Sequence, residues 1–161
     1  MTSVVRPIVH GAVAGLAGTT ALNMAGYVDI VLRGRPISDT PEITVRSLAD
    51  KLHVRIPGDD QIRENRVAGL GPLMGYTVGM GMGVALSLVQ AAGLLPTKTS
   101  RYAFASLFAL TVTNVPIFIL GISDPRTWTT ADWVSDVIPH GVFAVVAVRV
   151  IERLEAAGSR G

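Results

Sequence analysis

Four long apolar stretches constrain this chain more than any other feature: Ile8 to Leu32, Val67 to Leu95, Tyr102 to Ile122 and Val134 to Ile151, with nearly all charges confined between them. A helix rises about 1.5 Å per residue and a bilayer's hydrocarbon core is about 30 Å thick, so each stretch can cross it. Hydrocarbon offers no partner to a bare backbone N–H or C=O, so such spans resolve as helices. Composition agrees: 49% of the residues are hydrophobic and 16% charged, with mean hydropathy +0.46, whereas soluble domains are about a quarter charged. The expected fold is an all-α, polytopic four-transmembrane-helix bundle, a single membrane domain over residues 1–161. The first stretch also admits a signal-peptide reading, because Arg6 precedes it, but its apolar run outlasts a usual signal core.

Several chemistries are excluded. Without cysteine there are no disulfides, thiolate metal sites or sulfur nucleophiles. The net charge of +2 arises from dispersed basic residues, so no nucleic acid partner is expected. The Gly79-Met80-Gly81-Met82-Gly83 run lies in mid-span with no Lys-Ser/Thr after it, so it is no phosphate loop. No G-x-S-x-G elbow and no compact metal-ligand motif occurs. The expectation is a non-enzyme without metal or cofactor, whose partner is the lipid bilayer.

Between the first two spans, Arg33 to Arg66 is the one long polar connection. Thr40-Pro41-Glu42 reads as an N-cap, a first-turn proline and an early acid. Val45, Leu48, Ala49 and Leu52 then fall on one face, opposite Arg46, Asp50 and Lys51. A short amphipathic helix follows, lying in the membrane interface or packed on the end of the bundle. Trp128, Trp133 and Tyr102 sit where aromatic belts form. The side bearing the termini and second loop, side A, carries six Lys/Arg and the opposite side B carries eight, so the positive-inside rule does not orient the chain.

The second span repeats a small residue every fourth position, at Gly71, Gly75, Gly79 and Gly83, with Ser87 next. In lipid, apolar side chains gain little by hiding from other apolar groups, and such a GxxxG ridge lets backbones approach instead. Gly11, Gly15, Gly18, Thr19 and Gly26 give the first span a matching face. Tight packing of the first two spans is expected, with a homo-oligomer through the same ridge as the rival use.

Polar residues inside spans are the candidate site, because amide and ionisable groups in hydrocarbon need partners. Asn23, Asn114 and His140 each lie on the order of 12 Å below side B, with Tyr76 and Thr77 at similar depth. Nearer side B come Asp29, Asp132 and Asp136, and Asp132, Asp136 and His140 stack at i, i+4, i+8. The intramembrane layer is therefore Asn23, Asp29, Tyr76, Asn114, Asp136 and His140. Structural alternatives stand beside it. Thr129 with Asp132 resembles a capping box, Asn114 precedes Pro116, and His140 follows Pro139, so both could satisfy carbonyls freed by proline. His10 opens the first span near side A, where an interfacial histidine carries little meaning. The layer supports a structural or accessory membrane component, or alternatively a proton or cation conduit.

Two segments carry a resemblance: HGAVAGLAGTTALNM with Arg35-Pro36 after the first span, and the later order Gly121, Asp124-Pro125, Trp128, Ser135-Asp136, His140 and VRVIERL. In these the chain resembles the YagU-type small bacterial inner-membrane proteins, a family of unknown function. The resemblance covers the first helix and the last sixty residues and leaves out Arg46 to Arg66. It implies a four-helix topology in a bacterial cytoplasmic membrane, with His140 at a family-typical position, and no activity.

Overall fold

Helix ends are set by local chemistry that the hydropathy profile does not carry. The computed structural model describes residues 4–158. Its helices are α1 (Val5–Arg33), α2 (Thr40–Lys51), α3 (Asp60–Ala91), α4 (Lys98–Ile119) and α5 (Thr130–Gly158), with a single 3₁₀ turn at Pro125–Thr127. α1, α3, α4 and α5 are long and apolar enough to cross a membrane. The chain is thus an all-helical, multi-pass membrane protein.

The starts of α3, α4 and α5 are displaced from their apolar stretches to where side-chain caps stand. α3 starts seven residues before Val67, at Asp60, because the Asp59 carboxylate accepts from the Ile62 N–H at 2.8 Å. It stops at Ala91, short of Leu95, because Gly93 takes φ 74° and the Gly93 and Leu94 N–H groups turn back onto Gln90 and Val89 carbonyls. α4 starts at Lys98, before Tyr102, behind a capping box between Thr97 and Ser100. α5 opens at Thr130: Thr129 N–H and hydroxyl donate to Asp132 at 2.9 and 2.7 Å, and the Asp132 N–H returns to Thr129 Oγ1 at 3.2 Å. Asp132 is therefore a capping residue. Between α4 and α5, Arg126 hydrogen-bonds Asp124 and holds its carboxyl below the usual carboxylate range.

The spans pack in the order α3, α1, α5, α4, with α1 between α3 and α5 and α4 resting mainly on α5. The α1–α3 contact is backbone on backbone. A Cβ added at Gly11 would lie 2.6 Å from the Gly83 carbonyl oxygen, and one added at Gly83 would lie 2.6 Å from Gly15 Cα. At Gly79 it would meet Thr19. The expected pairing of the first two spans is present, but the ridge does not work as one strip. Gly71 faces α2 instead, with Pro41 and Glu42 about 3.2 Å from its missing Cβ, and Gly75 faces open space with nothing within 4 Å. The close contact of α3 with α1 is made at Gly79 and Gly83, and Gly75 lies outside it.

Gly18 plays the same part toward α5: the Phe143 ring, only 2% exposed, lies 2.8 Å from where its Cβ would be. Phe143 joins Ala14, Leu86, Ala105, Ala109, Ala144, Ala147, Val148 and Ile151 in a core spanning all four long helices. At side A this core is closed by polar clamps, Arg6 to the Glu155 carbonyl at 3.1 Å and Arg101 to Glu152 at 3.4 Å.

α2 docks on the side-B end of α3. Its most buried residue is Thr44, not one of the predicted apolar face, and Thr44 bonds back to the Thr40 carbonyl at 2.7 Å. Val45 and Ala49 are half-buried, while Ile43, Leu48 and Leu52 are exposed. The reading of a short helix packed on the end of the bundle holds, and α2 also leaves apolar side chains uncovered. Trp128 and Trp133 meet edge to face, centroids 5.0 Å apart.

Two predictions follow from this packing. Gly79→Leu and Gly83→Leu each push a side chain into α1 and should lower stability by at least the roughly 1–3 kcal/mol typical of overpacking. Gly75→Leu should stay within about 0.5 kcal/mol of the parent; thermal unfolding in detergent separates the two, and equal loss at Gly75 contradicts its open position. Spin labels at Leu48 and Leu52 should report lipid contact while a label at Thr44 is immobilised; aqueous exposure at the two leucines counts against an interfacial α2.

Candidate functional site

Depth along a helix follows from residue number, but neighbours depend on how helices rotate against one another. The six predicted layer residues consequently divide into three separate hydrogen-bonded sets and one residue without a partner.

The most buried set joins α4 to α5. Asn114 Nδ2 donates to Asp136 Oδ2 at 2.8 Å. His140, 7% exposed, has Nδ1 2.7 Å from its own helix's Asp136 carbonyl oxygen and 3.3 Å from Asp136 Oδ1. Its Nε2 lies 3.0 Å from Thr113 Oγ1 on α4. Asn114, Asp136 and His140 thus come together as the spacing suggests. The proline-capping alternative is not what the contacts describe: Pro139 frees the Ser135 carbonyl, whereas the imidazole bonds the next one, and Asn114 turns to Asp136.

Donor and acceptor accounting fixes the states of His140. A carbonyl oxygen only accepts, so Nδ1 carries a hydrogen whenever this bond is made. Thr113 Oγ1 also lies 2.9 Å from the Ala109 carbonyl. With neutral imidazole, the Thr113 hydroxyl donates to Nε2. With imidazolium, Nε2–H donates to Thr113, whose hydroxyl turns to Ala109, and Asp136 stands beside the cation. Rotation of one hydroxyl satisfies either state, so neither leaves an unpaired polar group in the apolar interior. Thr113 was not among the residues expected here; its position beside Asn114 was the available signal, but a threonine that bonds its own i−4 carbonyl is common in membrane helices.

The second set lies at side B. Gly34, at φ 63°, caps α1 in the left-handed region and reverses the chain. Arg35 Nε then reaches Asp29 Oδ2 at 2.6 Å, with Arg33 at 3.4 Å from Oδ1. Ser135 of α5 donates to Asp29 Oδ2 at 3.0 Å, and Arg33 bonds both Ser135 and the Ala131 carbonyl. Asp29 is therefore the centre of an α1–α5 ion-pair clasp and not the upper step of an acidic stripe ending at His140. Arg33, at i+4 from Asp29, was legible as its partner; Arg35 required the Gly34 turn.

The third set is thin: Tyr76 and Thr20 hydroxyls, 3.4 Å apart, link α3 to α1. Thr77 bonds only its own helix's Leu73 carbonyl. Asn23 is half-buried and makes no hydrogen bond among the described residues. No three His, Asp or Glu side chains converge in metal-binding geometry among the described residues.

Fold and site together define a four-span helical membrane protein with hydrogen-bonded polar pins between its spans. No protein-family model, no curated protein and no solved structure matches the chain.

At neutral His140 the ¹⁵N spectrum should report the Nδ1–H tautomer, because the Asp136 carbonyl is an obligate acceptor. Thr113→Val removes the Nε2 partner and should cost about 1–3 kcal/mol through an unsatisfied buried nitrogen. An Nε2–H tautomer in the parent contradicts the assignment.

Proposed function

We propose that this chain is a small structural or accessory component of a bacterial cytoplasmic membrane, of the YagU type it resembles, whose intramembrane polar residues join helices. One observation carries the reading: Asn114, Asp136 and His140 on α4–α5, Asp29 and Ser135 on α1–α5, and Thr20 and Tyr76 on α1–α3 each bond across one helix interface, and no hydrogen bond connects the three sets among the described residues. A proton or cation path needs groups that pass from one to the next. Pins need only mutual satisfaction, each worth about 0.6–2 kcal/mol in a membrane.

A second reading is kept by a specific feature, the two fully bonded states of His140. A group satisfied both with and without its second proton can exchange it with little reorganisation, so a proton conduit centred on Asp136 and His140 is the alternative.

Proteoliposomes carrying the parent and His140→Gln, loaded with a pH-sensitive dye and challenged with proton, Na⁺ and K⁺ gradients, decide between them. The pin reading expects both to leak no faster than empty vesicles. Parent flux that His140→Gln abolishes while the protein stays folded overturns it in favour of the conduit.

A further inference from the structure

The longest connection in the chain has no role in the polar pins, yet it builds a cleft. α2 ends in a left-handed turn at His53, φ 53°, where the Val54 N–H returns to the Ala49 carbonyl at 2.8 Å. The chain then runs back along α2 toward the first turn of α3. Between these elements lies a cleft of about 410 Å³ lined by Arg46, Asp50, Val54, Arg55, Ile56 and Arg63 among others. Three arginines and one aspartate are among its lining residues.

Two of the three are held in place from outside the cleft. Arg46 forks onto Glu64, one nitrogen at 2.9 Å, which ties α2 to α3. Arg63 bonds Asp60 at 3.0 Å and the Gly58 carbonyl at 3.2 Å. A guanidinium has five N–H donors and each of these two arginines uses two, so both keep free donors on a fixed frame. Arg55 makes no hydrogen bond or ion pair among the described residues. Arg66 braces the loop by bonding the Pro57 carbonyl at 2.7 Å. A positioned fork, a second positioned fork and an unpaired third suit a tetrahedral oxyanion, which accepts in several directions at once.

Location narrows the source of that oxyanion. The cleft lies at the side-B end of α3, and Ile43 stands exposed on the adjoining helix. Val54 and Ile56 give the cleft an apolar part beside its cationic part. Basic groups set next to apolar side chains at the end of a span match the headgroup and upper chain of an anionic phospholipid.

We propose that the cleft formed by Arg46, Arg55 and Arg63 is a phosphate-binding site, for the headgroup phosphate of an anionic phospholipid or the phosphate of a soluble ester. The assignment is independent of whether His140 carries protons.

The test is thermal unfolding of the full chain in a neutral detergent with phosphatidylglycerol, phosphatidylcholine or glycerol 1-phosphate added, for the parent, Arg55→Ala and Arg63→Gln. Arg55 has no partner, so its loss leaves the fold intact, and circular dichroism checks Arg63→Gln. Phosphatidylglycerol at saturation should raise the parent's Tm by about 5–10 °C, phosphatidylcholine should do far less, and Arg55→Ala should lose most of the gain. The same Arg55-dependent gain from glycerol 1-phosphate alone also supports the site and assigns it to soluble esters. No gain from either anion, or a gain that both variants keep in full, overturns it.

Discussion

Everything else in this bundle depends on how closely α1 can approach α3. In water a helix pair is held by hiding apolar surface, but lipid gives little of that advantage, and contact area must come from packing itself. Gly11 and Gly15 against Gly79 and Gly83 bring two backbones together where a single methyl group would collide. Gly18 extends the principle to α5 by admitting the Phe143 ring. α1 thus becomes the shared neighbour, and the small side chains that make it so also explain why the core is rich in alanine.

The polar groups are arranged around that contact. Each set lies on one helix interface and fixes rotation and register where van der Waals packing alone permits sliding. The α4–α5 set matters most in this respect, because α4 fully buries only Ala105 and Ala109, with Tyr102, Phe104, Phe108 and Val112 half-buried against the core. His140 sits at its centre, bonded to the Asp136 carbonyl on its own helix and to the Thr113 hydroxyl on α4.

The two halves of the molecule differ in kind. Toward side A the four spans share one apolar core closed by arginine clamps. Toward side B, Gly75 lies outside the α1–α3 contact, and polar chemistry takes over from packing: the Asp29 clasp, the docked α2 and the arginine-lined cleft. Eight of the fourteen basic residues stand on that side, and most already have assigned partners in the fold. Their excess there therefore reflects local architecture and is a poor guide to orientation.

What the sequence by itself determined is the set of properties that depend on distance along one chain. Hydropathy over about 20 residues specifies the spans, rise per residue places Asn114 and His140 at one depth with Asp136 one turn nearer side B, and the Thr129–Asp132 spacing specifies a cap; all are local and needed no partner. Only the tertiary structure decided what depends on azimuth and on the second helix. Gly75 and Gly79 lie only about 40° apart on a helical wheel, yet one meets open space and the other Thr19, because what a position meets depends on where the partner helix lies. Asp29 and Asp136 share a side of the membrane, yet Gly34 turns Arg35 onto the first and leaves the second to Asn114. Thr113 gained its role only when α4 rotated it toward His140, and a rotation about a helix axis leaves no trace in the spacing of residues.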